Sequence, residues 1–220
     1  EQVSESSGKD AISKSAKTGR ILDVQNLNEI ISEKKQERIS SGIKDLDTVL
    51  GGGILPAGVL LIAGQPGIGK STLLMQVSAF IASSRPVLYV SGEESAEQVA
   101  LRAQRLGASG SNKLKFASST SADDISATIR EGNFDLVIID SIQTLAMEEV
   151  SSAPGTVSQI TNSSNLIIRA AKKSGTAVVL VGHITKEGSI AGPKTLEHLV
   201  DVVLNFEGDR YGGFKVVRAV

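Results

Sequence analysis

Cysteine is absent from the chain of 220 residues, which excludes a disulfide framework, a thiolate metal site and a cysteine nucleophile. Histidine is almost absent: His183 and His198 are too few for a histidine-rich zinc centre. Aromatic residues are only 3% and tryptophan is missing, so the base stacking used by oligonucleotide-binding folds is not available. No apolar run approaches the roughly 18 residues that cross a bilayer, and no secretory apolar core opens the sequence. An excess of one charge is lacking too. Lysine and arginine number 23 against 24 acidic residues, a net charge of −1, so no global field steers the molecule toward a polyanion. The distribution is less even: residues 165–220 hold 8 basic and 5 acidic residues, whereas 120–164 hold 1 and 7. A local surface for a polyanion therefore belongs to the C-terminal part.

What is present is a globular core, with 40% apolar and 21% charged residues over a length that suits one substantial domain. Residues 1–19, EQVSESSGKDAISKSAKTG, are polar and aperiodic and read as a flexible tail. Ile21, Leu22, Val24, Leu27, Ile30 and Ile31 form a short apolar pattern, a docking arm or short helix, before the charged stretch SEKKQE. The first domain boundary is set at 1–37 for this tail or linker and 38–220 for the folded domain. From Arg38 onward, strand-like runs at 59–63, 87–90, 114–116, 136–139, 177–181 and 202–206 alternate with helical stretches at 71–83, 95–106, 122–131 and 158–173. Residues 214–217 alternate and read as an edge or hairpin strand. Apolar strands without strict alternation, separated by helices, predict an α/β fold: a mostly parallel central sheet flanked by helices on both faces.

The strongest chemical signal is GQPGIGKS, spanning Gly64, Gln65, Pro66, Gly67, Ile68, Gly69, Lys70 and Ser71, with Thr72 following. It has the full GxxxxGK[ST] spacing and lies between a predicted strand and a predicted helix, the context of a P-loop. Glycines let the backbone curl round phosphates, and successive amides with the helix N-terminus face the negative charge. Lys70 reaches the terminal phosphates and Ser71 offers its hydroxyl to Mg²⁺. Downstream, FDLVIIDS ends a strand in Asp140, a carboxylate placed to hold the same Mg²⁺. Between them VLYVSGEES sets Glu93 and Glu94 at the C-terminal sheet edge, where ligands bind in such folds. Glu93 is the first candidate to orient a hydrolytic water and Glu94 the second. A third strand, TAVVLVGH, ends in His183, followed by the glycine-rich ITKEGSIAGPK, a sensor and switch loop in outline. Lys186 and Lys194 in that loop can neutralise phosphates. The implied ligands are ATP or ADP with Mg²⁺.

RISSGIKDLDTVLGGG, GQPGIGKSTLL, YVSGEES, DSIQT, EEVSSAPGTVSQI, VGHITKEGSIAGPKTLEHLVD and FEGDR together resemble the RecA-like ATPase core of the bacterial RadA (Sms) family, over about 21–220. The loops carry this likeness more specifically than the P-loop, which KaiC and the DnaB helicases share. The resemblance implies an ATP-dependent motor that binds single-stranded and branched DNA, forms homo-hexameric rings, works beside RecA and migrates branches in recombination and repair. It implies Glu93 as the water-activating carboxylate, Asp140 as the Mg²⁺ ligand and His183 as the sensor. Segments 147–159 and 185–194 resemble the two DNA-facing loops. A cytoplasmic bacterial location is implied, with an organellar matrix as the other option and no membrane. Three parts of the family pattern are not in this chain: a four-cysteine zinc finger, a KNRFG motif expected directly after Val220, and a protease-like domain. Without them the resemblance implies a truncated core that binds ATP, hydrolyses it weakly and forms no stable ring. An ATPase or nucleotide-gated assembly module acting on protein is the competing reading.

Overall fold

The structure, a computed structural model, describes residues 24, 26, 37–108, 110–183, 196–208 and 215–220. All of the expected docking arm but Val24, residues 1–19 of the tail, and Lys186 and Lys194 lie outside the described residues. Residues Gln36–Val220 form one unit of the chain.

Seven strands make one sheet: β1 (Val59–Gly64), β2 (Val87–Ser91), β3 (Leu114–Ser118), β4 (Leu136–Asp140), β5 (Ala177–His183), β6 (Val202–Gly208) and β7 (Lys215–Ala219). Their order is β3-β2-β4-β5-β1-β6-β7. All pairings are parallel except β6 with β7. The helices are α1 (Lys44–Val49), α2 (Lys70–Ala82), α3 (Ala96–Arg105), α4 (Ala122–Glu131) and α5 (Val157–Ser174), with a 3₁₀ turn at Ile142–Thr144.

The apolar strands read as they do because both faces are covered. Successive strand side chains point to opposite faces. In β1, Leu60 and Ile62 join the core under α1, α2 and α3, while Val59 and Leu61 join the core under α4 and α5. In β4, Leu136 and Ile138 face the first core, and Val137 and Ile139 the second. Every residue of β1, β2 and β4 is buried, whereas the two edge strands, β3 and β7, are at most half-buried. Full burial of one such side chain stabilises by about 1.5–3 kcal/mol, and Ile138→Ala in this packed position costs about 2–5 kcal/mol.

The helix starts follow local chemistry. Ser95 caps α3 through a reciprocal capping box with Gln98, and Ser121 and Thr156 cap α4 and α5. The boundaries depart from the sequence reading by one or two residues; α5, for example, runs Val157–Ser174 rather than 158–173. The mostly parallel sheet with helices on both faces is as expected, and the described part of the expected edge strand, 215–217, falls on an antiparallel edge strand, β7. Two short elements were not read from the sequence. Six residues of α1 and three of the 3₁₀ turn are too few to display a period.

Candidate nucleotide site

Parallel strands of this order bring the ends of β1, β2, β4 and β5 side by side on one sheet edge. Gly64 ends β1, with His183 of β5 as its register partner on one side and Phe206 of β6 on the other. No side chain fits at Gly64, because a Cβ there would stand 2.5 Å from the Phe206 carbonyl oxygen. The loop that follows turns through Gly69, whose φ of 110° only glycine adopts readily, and enters α2 at Lys70. Gly69 itself lies under the Lys215 ammonium of β7, 2.8 Å from where a Cβ would be.

Lys70 is a lysine only 3% exposed. Burial lowers its pKa from the ordinary lysine value, and the charges of Asp140 and Glu93 oppose that shift. Its ammonium donates to the carbonyls of Gly64 (2.7 Å) and Gln65 (2.9 Å) and stands 3.3 Å from His183 Nδ1. On the other side of the imidazole, His183 Nε2 lies 3.2 Å from Glu93 Oε1. An ammonium can only donate and a carboxylate only accept, so both contacts together select the imidazole with its proton on Nε2. Glu93 Oε1 also accepts from Ser141 Oγ. Asp140, 6% exposed at the end of β4, accepts from the Tyr89 hydroxyl at 2.7 Å.

The two glutamates differ in their partners. Glu94 is ion-paired with Arg102 of α3. Burial disfavours the Arg102 charge, but Glu94, through its hydrogen bond and charge, holds the guanidinium above its ordinary pKa. Among the described residues no lysine or arginine is ion-paired with Glu93, which faces the histidine. Both backbone amides, at Glu93 and Glu94, converge on Ser91 Oγ, which sets the turn that carries them.

A cleft of about 490 Å³ gathers these groups: Pro66, Gly67, Gly69, Lys70, Ser71 and Thr72 from the loop and α2, Glu93 and Glu94 beyond β2, Asp140, Arg102 and His183. Of the residues singled out from sequence, Gln65 contributes its carbonyl to Lys70, and Ile68 packs against the first core instead of the cleft. A larger groove of about 580 Å³ lies beside α1, but it lacks this chemistry. Ser71 Oγ and the Asp140 carboxylate form a hard-oxygen pair suited to Mg²⁺. Among the described residues no three His, Asp or Glu side chains form a metal cage, so such an ion would draw its remaining ligands from phosphate and water. The first expected DNA-facing loop is shaped by Gln159, 2% exposed, whose amide binds the backbone of Met147, Val150 and Ser152.

Tyr89, Ser141, Arg102 and Gln159 were not read from the sequence. The available hint for Tyr89 was a lone phenol inside an otherwise aliphatic strand. For Arg102 it was an arginine eight residues after Glu94 on a helix.

Residues 32–189 match a family model described as AAA domain. The chain is 48% identical over 202 residues to a Pseudomonas aeruginosa protein named DNA repair protein RadA, covering 92% of this chain and 44% of that one. Proteins of the same name from Brucella abortus and Bacillus subtilis are 49% and 48% identical, covering 94% and 86% of this chain and 45% and 42% of theirs. The chain spans less than half the length of these curated relatives. A crystal structure of the RadB recombinase matches with a TM-score of 0.60 over 81% of this chain and 87% of that chain, at 22% identity, a likeness of fold.

Proposed function

The chain belongs to the AAA-domain family and is homologous to the ATPase region of DNA repair proteins named RadA, and from that premise we propose that it is an Mg²⁺-dependent ATPase core coupling hydrolysis to single-stranded DNA in recombination and repair. One observation carries the reading: Lys70, Asp140, Glu93 and His183, drawn from separate parts of the sequence, line the same cleft at the sheet edge.

When triphosphate enters, loop amides and the α2 N-terminus receive the phosphates, and Lys70 exchanges its carbonyl partners for phosphate oxygens. Ser71 and Asp140 would hold Mg²⁺, which supplies charge neutralisation at the β- and γ-phosphates. Glu93 orients the attacking water and takes up its proton. His183, placed between Lys70 and Glu93, registers whether the γ-phosphate is present and passes that state to the chain beyond β5, where Lys186 and Lys194 meet the DNA backbone. In this reading the working form is a homo-hexamer of the longer protein in the bacterial cytoplasm. It acts on single-stranded and branched DNA beside RecA.

ATP turnover measured with and without a single-stranded oligonucleotide tests it. Stimulation by DNA supports the motor reading. Turnover indifferent to saturating DNA favours action on a protein partner, and failure to bind Mg·ATP overturns the ATPase assignment itself.

A further inference from the structure

Tyr89 is 1% exposed in β2, in the core under α2 and α3, with Phe116 of β3 as its register partner on one side. Its register partner on β4 is Ile138, and Asp140 lies two residues further on, opposite Ser91. An aromatic side chain is long enough to reach a diagonal neighbour on the adjacent strand. The ring therefore fills the core beneath α2 and α3 while the hydroxyl emerges at the sheet edge and donates to Asp140 Oδ2 at 2.7 Å. Phenylalanine would fill the same volume. Only the hydroxyl distinguishes tyrosine here, and it donates to Asp140.

Resting on the nucleotide-site reading above, we infer that Tyr89 is a positioning residue for the metal-binding carboxylate: it engages one oxygen of Asp140 and so orients the other for a divalent cation. Mg²⁺ demands near-ideal octahedral geometry, and a carboxylate free to rotate about its side-chain bonds satisfies that poorly. Hydrogen bonds from an outer shell fix ligand orientation, and their loss typically weakens metal binding or activity by about 10–100-fold. A phenol carries its proton at neutral pH, so the hydroxyl acts as the donor and the carboxylate as the acceptor. The residue reaches the metal only through Asp140, which separates its role from that of a ligand.

Tyr89→Phe tests the inference by binding, independent of turnover. A fluorescent ATP analogue is titrated against the variant across a Mg²⁺ series and in EDTA. The expected result is an apparent Mg²⁺ affinity lower by about tenfold or more, with nucleotide affinity in EDTA within about twofold of the parent. An unchanged Mg²⁺ midpoint overturns the inference, and so does an equal loss in EDTA, which marks a purely structural role. A parent that shows no Mg²⁺-dependent nucleotide binding overturns the nucleotide-site reading and this inference with it. Should Tyr89→Phe fail to fold, 3-fluorotyrosine is incorporated in a Tyr211→Phe background, which leaves Tyr89 the one tyrosine. A ¹⁹F shift on adding Mg²⁺ to the nucleotide complex is then expected, and a resonance that does not move overturns the assignment.

Discussion

Lys70 Nζ lies 3.3 Å from His183 Nδ1, so the amine of the phosphate loop and the imidazole at the end of β5 form one hydrogen-bonded unit. Glu93 holds the far side of the same ring at 3.2 Å. An event that draws the lysine toward phosphate removes the donor at Nδ1. The imidazole is then free to re-pair, and with it the carboxylate that would handle water. In the proposed reading, binding and hydrolysis are thereby linked through a single ring.

Lys70→Ala removes the point charge while its surroundings stay packed. Charge-assisted hydrogen bonds are worth about 1.5–3 kcal/mol, so triphosphate affinity falls by at least about tenfold in calorimetry. Affinity within threefold of the parent, at unchanged Tm, would sink the cradle assignment.

The two neighbouring glutamates should respond differently to amide substitution. Glu93→Gln binds Mg·ATP as the parent does and loses roughly 10²–10⁴ in turnover. Glu94→Gln leaves the Arg102 side chain, 14% exposed, without its carboxylate. Stability then drops by about 1–3 kcal/mol, several degrees in Tm. Paired turnover and melting measurements distinguish them, and full activity in Glu93→Gln would transfer the water-activating role to another residue.

His183→Ala keeps ATP binding but shrinks the difference in DNA affinity between ADP and a non-hydrolysable ATP analogue. Replacing Lys186 and Lys194 together by alanine weakens DNA binding in both states and lowers the salt slope by about one or two. Fluorescence anisotropy over a salt series reads both. Retention of the full nucleotide effect in His183→Ala would place the sensor elsewhere, and an unchanged salt slope would make the lysines surface decoration.

Stability should fall in acid through Asp201. Its carboxylate accepts from the Val59 amide at 2.7 Å and is ion-paired with Lys172, tying the start of β6 to that of β1. Partial burial raises its pKa, but the hydrogen bonds from Lys172 and Val59, with the lysine charge, outweigh this and hold it below the ordinary value. A depressed folded pKa stabilises above the unfolded value, about 3.9, and this contribution disappears as pH drops through the folded one. Discounted for solvent exposure, Asp201→Asn costs about 1 kcal/mol at pH 7. That is a Tm lower by about 2–4 °C, and the gap from the parent closes as pH falls through the lowered pKa of the folded carboxylate. A gap constant from pH 7 to pH 2.5 would contradict the ionic origin.

Much of this architecture was legible in the sequence because both faces of the sheet are covered. Continuous apolar runs such as Val59 to Ala63 have few readings other than a doubly covered strand. The P-loop was legible for a related reason: its glycines answer backbone demands, at Gly64 a close carbonyl and at Gly69 a left-handed φ. Residues that act across strands were not. Tyr89 and Asp140 are 51 positions apart, and Ser141 and Glu93 are 48. Those pairings exist only once β2 and β4 lie in register, which no local pattern encodes. The choice between Glu93 and Glu94 was open for the same reason, since the Arg102 pairing depends on the helix turning back over the strand end.

Gln159 has a consequence of another kind. One amide side chain gathers the backbone from Met147 to Ser152 and holds it against the start of α5. A partner that docks on this segment meets a surface already cast in its shape, and little chain entropy is lost on contact. Affinity there depends on preorganisation as well as on charge. It is therefore sensitive to a buried residue that need not touch the partner.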